Sequence, residues 1–277
     1  MLHWILPATQ PCSELIECFW FIEKTTAQQV SFPKLNPDPS AHLILAPLGT
    51  PYNYAFDDKV CTGHGCHLLF AHKETAQLDH SKPFLHVGIK LRPSAIYRLA
   101  LNSANSESLD NVIELNTVLS LGLEESDLNR LFELARHDPL QCVSELENDL
   151  ALWLANAQHD QHSKLADKVV EALPHTAIAD LSAKLYCSQR TIERSFRKVT
   201  NLTLKQYQAM IKLELMLEYL YQRPSNEIDW VDVAYQFGFS DQPHLIRYLK
   251  KQIGTTPQKY IVQRGFTIDV YGGVTSE

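Results

Sequence analysis

No apolar run in the 277-residue chain approaches the ~18 residues that a membrane-spanning helix requires. Nor does the chain open on a basic stretch followed by an apolar one. Pro7 and Pro11 stand among polar residues there, so no secretory leader is expected. Cysteine is sparse: the six residues Cys12, Cys18, Cys61, Cys66, Cys142 and Cys187, without an export signal, read as reduced thiols rather than a disulfide framework. A cytoplasmic protein with no membrane partner is the expectation. The composition is not that of a disordered chain either, since 45% of residues are hydrophobic and 21% charged. The length suits one large domain or two ordinary ones. Above all, the chain lacks a surplus of positive charge. Its net charge is −7, which taken whole argues against a nucleic-acid partner.

That balance is uneven along the chain. Residues 1–163 hold 10 Lys+Arg against 20 Asp+Glu, a balance of −10, and residues 164–277 hold 15 against 12, a balance of +3. Ten of the 12 histidines fall in the first part. Two compositions in one chain point to two domains with different partners. A balance of +3 is too weak to establish nucleic-acid binding, so the placement of the charges must decide.

Residues 14–100 read as strands and turns. ECFWFIEK, AHLILAPL, HLLFAHKE and LHVGIKL are short apolar or alternating runs, punctuated by proline and glycine from Pro33 to Pro93. This pattern fits a small barrel or sandwich. A short helix is expected over 94–101 with Ser94 as its cap. From Glu124 the period is helical, with two helices split at His137-Asp138-Pro139. NAQHDQHS, residues 156–163, is polar and aperiodic and reads as a linker.

The remainder reads as all helix. Ile178, Leu181 and Leu185 mark a short helix. Ser188 caps the next, with Ile192, Phe196 and Val199 inward and Asn201 as a left-handed end. Thr203 caps a long helix reaching Gln222, where Arg223-Pro224 stops it. Gly238-Phe239 turns the chain, Ser240 or Asp241 caps a further helix ending at Gly254, and Thr256-Pro257 opens the last. A shift of 53 residues lays Ile192 on Leu245, Arg194 on Arg247, Phe196 on Leu249, Asn201 on Gly254, Thr203 on Thr256 and Tyr207 on Tyr260. Each unit is therefore helix, turn, helix, basic end and cap: a duplicated helix-turn-helix.

The outward faces carry the chemistry. Arg190, Glu193, Arg194 and Arg197 lie opposite the apolar stripe of the first unit. His244, Arg247 and Lys251 do so in the second, with Gln242 in the first turn. Long donors near a helix N-terminus suit base edges, and cations further along suit phosphates. On the long connector, Leu204, Tyr207, Ile211 and Leu215 form one stripe, and Met210, Leu213, Leu217 and Leu220 another, so it is expected to pack against two bodies. Its length of about 30 Å is close to one turn of duplex.

The stretches SQRTIERSFRKVTN (188–201) and VDVAYQFGFSDQPHLIRYLKKQIGTTPQKY (231–260) resemble the AraC/XylS family of bacterial transcription regulators. The match covers about 164–263. The resemblance implies base-reading positions at Arg190, Glu193 and Arg194, and at Gln242, Pro243 and Arg247; His244 joins them on its place in the helix. Arg197, Lys198, Lys250 and Lys251 are the candidate phosphate contacts. Asn201, Leu249 and Leu204 depart from the usual glycine, phenylalanine and proline. Pro243 cannot donate to a base and Glu193 can only accept, so the sequence preference is expected to be this chain's own. WFIEK, HLILAPLG, VCTGHG and GIKLRPSAIYRLA are similar to cupin-like sensor domains of such regulators.

The resulting expectation is an α+β chain. It has an N-terminal small β-barrel (cupin-like) with trailing helices over 1–155, a linker over 156–163, and an all-α DNA-binding domain of two helix-turn-helix units over 164–277. Double-stranded DNA is the expected partner, together with a small-molecule effector or a homodimer contact, and RNA polymerase if the protein activates. No catalytic residue, metal or cofactor is expected. CTGHGCH (61–67) lacks the His-x-His pair of metal-dependent cupins and offers no second clean cysteine pair. Phe19, Trp20, Phe21, Tyr52, Tyr54, Phe56 and Phe70 are candidates for an apolar pocket, in which His42, Lys90 and Arg92 would orient an acidic ligand. Trp20, His42, Phe70, Lys90 and Arg92 form the candidate effector site. Two rivals stay open: a constitutive regulator whose first domain only dimerises, and a metal-binding cupin that also regulates.

Overall fold

The computed structural model describes residues 2–26, 32–101, 109–115 and 124–268. The end of the expected second domain, 269–277, lies outside them.

The first part is built on two antiparallel sheets. The larger is six-stranded, in the order β1-β2-β9-β4-β7-β10, from Leu2–Pro7 (β1), Ile16–Lys24 (β2), Phe84–Leu91 (β9), His42–Leu45 (β4), His67–Leu69 (β7) and Val112–Glu114 (β10). The smaller is four-stranded, in the order β3-β8-β5-β6, from Lys34–Leu35 (β3), Ala76–Leu78 (β8), Pro51–Ala55 (β5) and Val60–His64 (β6). The region expected as a small barrel is thus a pair of sheets, with no strand pairing that closes them into one ring among the described residues.

Alternation along β2 and β9 gives the large sheet two different faces. Phe19, Phe21, Val87, Ile89 and Leu91 point one way. They pack under the helices α2 (Glu125–His137) and α3 (Pro139–Ala155), through Leu131, Phe132, Cys142 and Leu146. The break between these helices falls where expected: Asp138 accepts from Gln141 N and Pro139 opens α3. Trp20, Ile22, Phe84, His86 and Lys90 occupy the other face. Trp20 pairs in register with Gly88, and a Cβ there would stand 1.8 Å from Trp20 Cε2. Only glycine lets the indole lie across the strand.

Two local expectations are corrected. The helix expected over 94–101 is a single turn, Ala95–Arg98 (α1), and Ser94 makes no capping bond; its hydroxyl is buried without a partner. The linker expected over 156–163 becomes helix at Gln161, because Asp160 accepts from the backbone of His162 and Ser163 at 2.9 and 2.8 Å while Ser163 Oγ accepts from Asp160 N at 3.1 Å. This opens α4, Gln161–Ala172.

The following helices are α5 (Leu181–Lys184), α6 (Gln189–Thr200), α7 (Leu204–Tyr221), α8 (Trp230–Gln236), α9 (Gln242–Ile253) and α10 (Pro257–Gln263). They enclose two separate cores. Leu181, Ile192, Phe196, Leu204, Tyr207 and Met210 form one with α4. Leu213, Leu217, Leu220, Val233, Leu245, Leu249 and Tyr260 form the other. Helix α7 serves both, but its partners change along its length rather than only around its circumference. Met210 accordingly joins the first core, and Leu215, expected in an apolar stripe, is 51% exposed. Thr203 caps α7 in a reciprocal box with Gln206.

The turn inside each unit requires a left-handed residue. Gly238 fills it in the second unit at φ +66°. In the first it is Tyr186, at φ 51° and 96% exposed. The left-handed region costs an L-residue about 1–2 kcal/mol, part of which glycine returns as unfolded-state entropy. Tyr186→Gly should therefore stabilise the protein by about 0.5–1 kcal/mol, read as a higher midpoint of thermal unfolding. A midpoint that stays put or falls would mean the tyrosine is held by contacts outweighing its backbone cost.

Candidate functional site

Helices α6 and α9 are built alike. Each has 12 residues. Ser188 Oγ accepts from Thr191 N at 3.2 Å, and Asp241 Oδ1 from His244 N at 2.7 Å, so Asp241 rather than Ser240 is the second cap. Pro243 sits in the first turn, where the missing N–H has no helical partner in any case. Asn201 (φ 60°) and Gly254 (φ 70°) end the two helices in left-handed geometry. Fixing caps, ends and inner faces leaves the outer faces fixed as well.

Arg190, Glu193, Arg194, Arg197 and Lys198 are exposed on α6. Pro243, His244, Arg247, Lys250 and Lys251 are exposed on α9, with Gln242 partly so. Among the described residues, no carboxylate pairs with Arg190, Arg194, Arg197, Arg247, Lys250 or Lys251. Glu193 accepts from Gln189 Nε2 at 2.8 Å. His244 lies edge-on to Phe239 and contacts Ser240 Oγ at 3.3 Å. Lys198 differs from the other cations, since its ammonium lies 5.6 Å from the centre of the Tyr97 ring on α1. Within the helical part, His162 Nδ1 of α4 meets Ser195 Oγ of α6 at 2.9 Å, whereas α9 is tied back to the first part, where Thr75 Oγ1 donates to Gln252 O at 3.0 Å.

A second site lies where the open face of the large sheet meets α7. It is a cavity of about 440 Å³, walled by Trp20, His42, Phe84, His86 and Lys90 on one side and by Glu214, Leu217 and Glu218 of α7 on the other. Trp20 donates its indole N–H to His42 Nδ1 at 3.1 Å. Indole can only donate, so His42 carries its proton on Nε2 and donates to Asp38 Oδ2 at 3.1 Å. Lys90 stands at the centre of an ion cluster, with Glu214 at 3.3 Å, Glu17 at 3.5 Å and Asp38 at 3.6 Å.

The cluster divides the carboxyls by environment. Burial disfavours ionised Asp38, but Lys90 and His42 outweigh it and hold the group well below the usual carboxylate range. Glu214 goes the other way. Burial, reinforced by Asp38 and Glu17 against the opposing pull of Lys90, pushes it up to about 7. Burial likewise raises Glu218 and lowers two imidazoles, His80 to about 4 and His86 well below the ordinary range. At pH 7 both rings are neutral.

Of the expected effector residues, the fold gathers Trp20, His42 and Lys90 at this cavity. Phe70 is excluded because it points into the core beneath α2 and α3. Arg92 is exposed and donates to Ser13 O at 2.6 Å. Phe19 and Phe21 face away for the reason already given, period-two alternation. Glu214 and Glu218 are not among the expected effector residues, since sequence shows a carboxylate on an amphipathic helix only as a solvated charge; Asp38 and His86 join them at the cavity through neighbours distant in sequence. In the 61–67 stretch, His67 is buried between Gly65 O and Tyr54 Oη, each at 2.9 Å, and Cys66 contacts Ala46 O at 3.4 Å. No group of three or more His, Cys, Asp or Glu is placed to hold a metal ion among the described residues. No described helix is long and apolar enough to cross a membrane.

The raised Glu214 makes the domain junction pH-sensitive. Between its ordinary value near 4.5 and its folded value near 7, the folded state binds more protons than the unfolded chain, so stability falls as pH rises through that window. Gln cannot titrate. Glu214→Gln should flatten the loss of thermal stability between pH 5 and pH 8. A variant whose slope equals that of the wild type would remove Glu214 as its source.

Residues 181–263 match the family model described as a helix-turn-helix domain. The Msm operon regulatory protein of Streptococcus mutans serotype c (strain ATCC 700610 / UA159) is 29% identical over 130 residues, which are 47% of this chain and 43% of that protein. The chain thus spans less than half the length of that relative. Among solved structures, ToxT from Vibrio cholerae superposes with a TM-score of 0.49 at 13% identity, over 88% of this chain and 98% of that one. Wild-type ToxT bound to an unsaturated fatty acid gives 0.41 at 12%, over 96% and 95%. The duplicated caps, the left-handed ends and the matched segment agree: residues 181–263 of this chain are a helix-turn-helix domain.

Proposed function

We propose that this chain is a sequence-specific DNA-binding transcription regulator whose two helix-turn-helix units read adjacent major-groove segments of one duplex. The observation that carries this reading is the pair of equivalent helices, α6 and α9, each capped and terminated alike and each turning uncompensated arginine to solvent. Arg190, Glu193 and Arg194 are the proposed base readers of the first unit, and Gln242, Pro243, His244 and Arg247 those of the second. Arg197, Lys250 and Lys251 are proposed to hold phosphates, and so is Lys198 once released from the Tyr97 ring. Pro243 reads by shape and apolar contact alone. The 18 residues of α7 span about 27 Å, close to one duplex turn.

The proposed division places the effector or oligomerisation domain, with its helical tail, at 1–155 and the DNA-binding domain at 164–277. The cavity between the sheet and α7 favours control by a small molecule over a first domain that only dimerises. A ligand touching both walls changes how the two parts sit, and so how both reading helices meet DNA. A homodimer contact, and contact with RNA polymerase if the protein activates, belong to the same reading.

Arg194→Ala and Arg247→Ala should each weaken binding to the cognate duplex by about 1–3 kcal/mol while leaving nonspecific binding nearly unchanged, as loss of a guanine contact does. Lys251→Ala should weaken all sequences alike and flatten the salt dependence. Footprinting selects the duplex, and titrations at several salt concentrations provide the check. Unchanged specific affinity in both arginine variants would defeat the assignment of α6 and α9 as readers.

A further inference from the structure

The acidic ligand expected for Lys90 does not suit the cavity as built. Lys90 is the only Lys or Arg among the lining residues, whereas Glu17, Asp38, Glu214 and Glu218 are all in the wall. Three of those carboxylates already surround the ammonium at 3.3–3.6 Å. An anion would have to displace Glu214 from Lys90 and then remain beside the others. A cation entering the same space meets carboxylates that one lysine cannot balance.

The far end of the cavity has a different character. Trp20, Ile22, Leu78 and Phe84 make it apolar. His86 lines it at 7% exposure, and its Nε2 has no hydrogen-bond partner. A buried, neutral imidazole nitrogen left unpaired asks for a ligand group to complete it. His86 and Lys90 share one face of β9, four residues or about 13 Å apart, so the cavity runs from a charged end to an apolar end tipped by this nitrogen. Its volume of about 440 Å³ falls within the roughly 300–1,000 Å³ range of small-molecule pockets.

We propose that this cavity binds a small organic cation, an amine with an apolar body, whose charged group sits between Asp38 and Glu17 of the first part and Glu214 and Glu218 of α7. The proposal rests on the reading of an effector-controlled regulator and names the chemical class of that effector. The ammonium joins carboxylates from both parts and takes over part of the role of Lys90 at their junction. The apolar body covers Trp20 and Phe84. A ligand hydroxyl at the far end satisfies His86 Nε2 whichever way the ring is protonated.

The test uses the full chain and three probes of equal length: n-decylamine, n-decanol and n-decanoate, titrated below their aggregation limits by calorimetry and thermal shift. The expected order of affinity is amine, then alcohol, then carboxylate. Glu214→Gln should weaken the amine about tenfold, the loss of one hydrogen bond to a charged group, and leave the alcohol unmoved. Glu218→Gln, on the more open side, serves as the second variant should the first fold poorly. Because the amine needs ionised Glu214 beside Glu17, Asp38, Glu218 and Lys90, its affinity should rise from pH 6 to pH 8. Tighter binding of decanoate, equal affinities for all three probes, or no binding of any would overturn the cation assignment. DNA titrations of the arginine variants separate the two failures. If the cavity ignores amines while Arg194→Ala and Arg247→Ala lose the cognate site, the regulator reading stands alone.

Discussion

Helix α7 is the constraint on which the rest of the molecule depends. A helix-turn-helix unit is too small to bury a core of its own. Here each unit borrows the apolar side of one shared helix, Leu204, Tyr207 and Met210 at one end and Leu213, Leu217 and Leu220 at the other. The separation of α6 from α9 is therefore set by a rigid rod rather than by a flexible tether. The same rod offers Glu214 and Glu218 to the sheet. One element thus fixes the spacing of α6 and α9, the two proposed reading helices, and forms a wall of the junction cavity.

The charge of the chain makes sense only when placed. A net −7 is the sum of regions with different work. Part of the acid in the first region, Asp38 and Glu17, is gathered around Lys90 at a junction rather than spread over a surface. On α6 and α9 the balance is reversed locally, because arginine and lysine occupy the one face that the core leaves open. Burial also separates carboxyls of nearly equal intrinsic acidity: Asp38 receives the lysine and a histidine and stays ionised, while Glu214 shares the same lysine among competitors and titrates near neutrality.

Local signals were the legible ones. Ser188, Asn201, Thr203, Gly254 and Thr256 each occupy the cap position their chemistry suggests, since a cap depends only on residues three or four positions away. The 53-residue offset aligned both units for the same reason. What stayed hidden depends on distant partners. Lys90 and Glu214 meet across 124 positions of sequence. The polar stretch ending at Ser163 looked like a tether because its one structural statement, the reciprocal Asp160–Ser163 box, is made by residues common in loops. Strand β1 was missed outright: Leu2–Pro7 gains strand character only by pairing with β2. Phe70 and Trp20 are equally aromatic, and only strand parity decides which of them reaches the cavity.

Tyr97 is engaged at both ends. Its hydroxyl donates to Asp160 Oδ2 at 2.7 Å, at the cap of α4, while its ring receives the ammonium of Lys198. A lysine cannot rest on a phenol and grip a nucleic-acid backbone at the same moment. On the proposed reading of Lys198 as a phosphate contact, the π-face of Tyr97 is a surrogate polyanion that the first unit would surrender before its whole basic edge engaged a duplex.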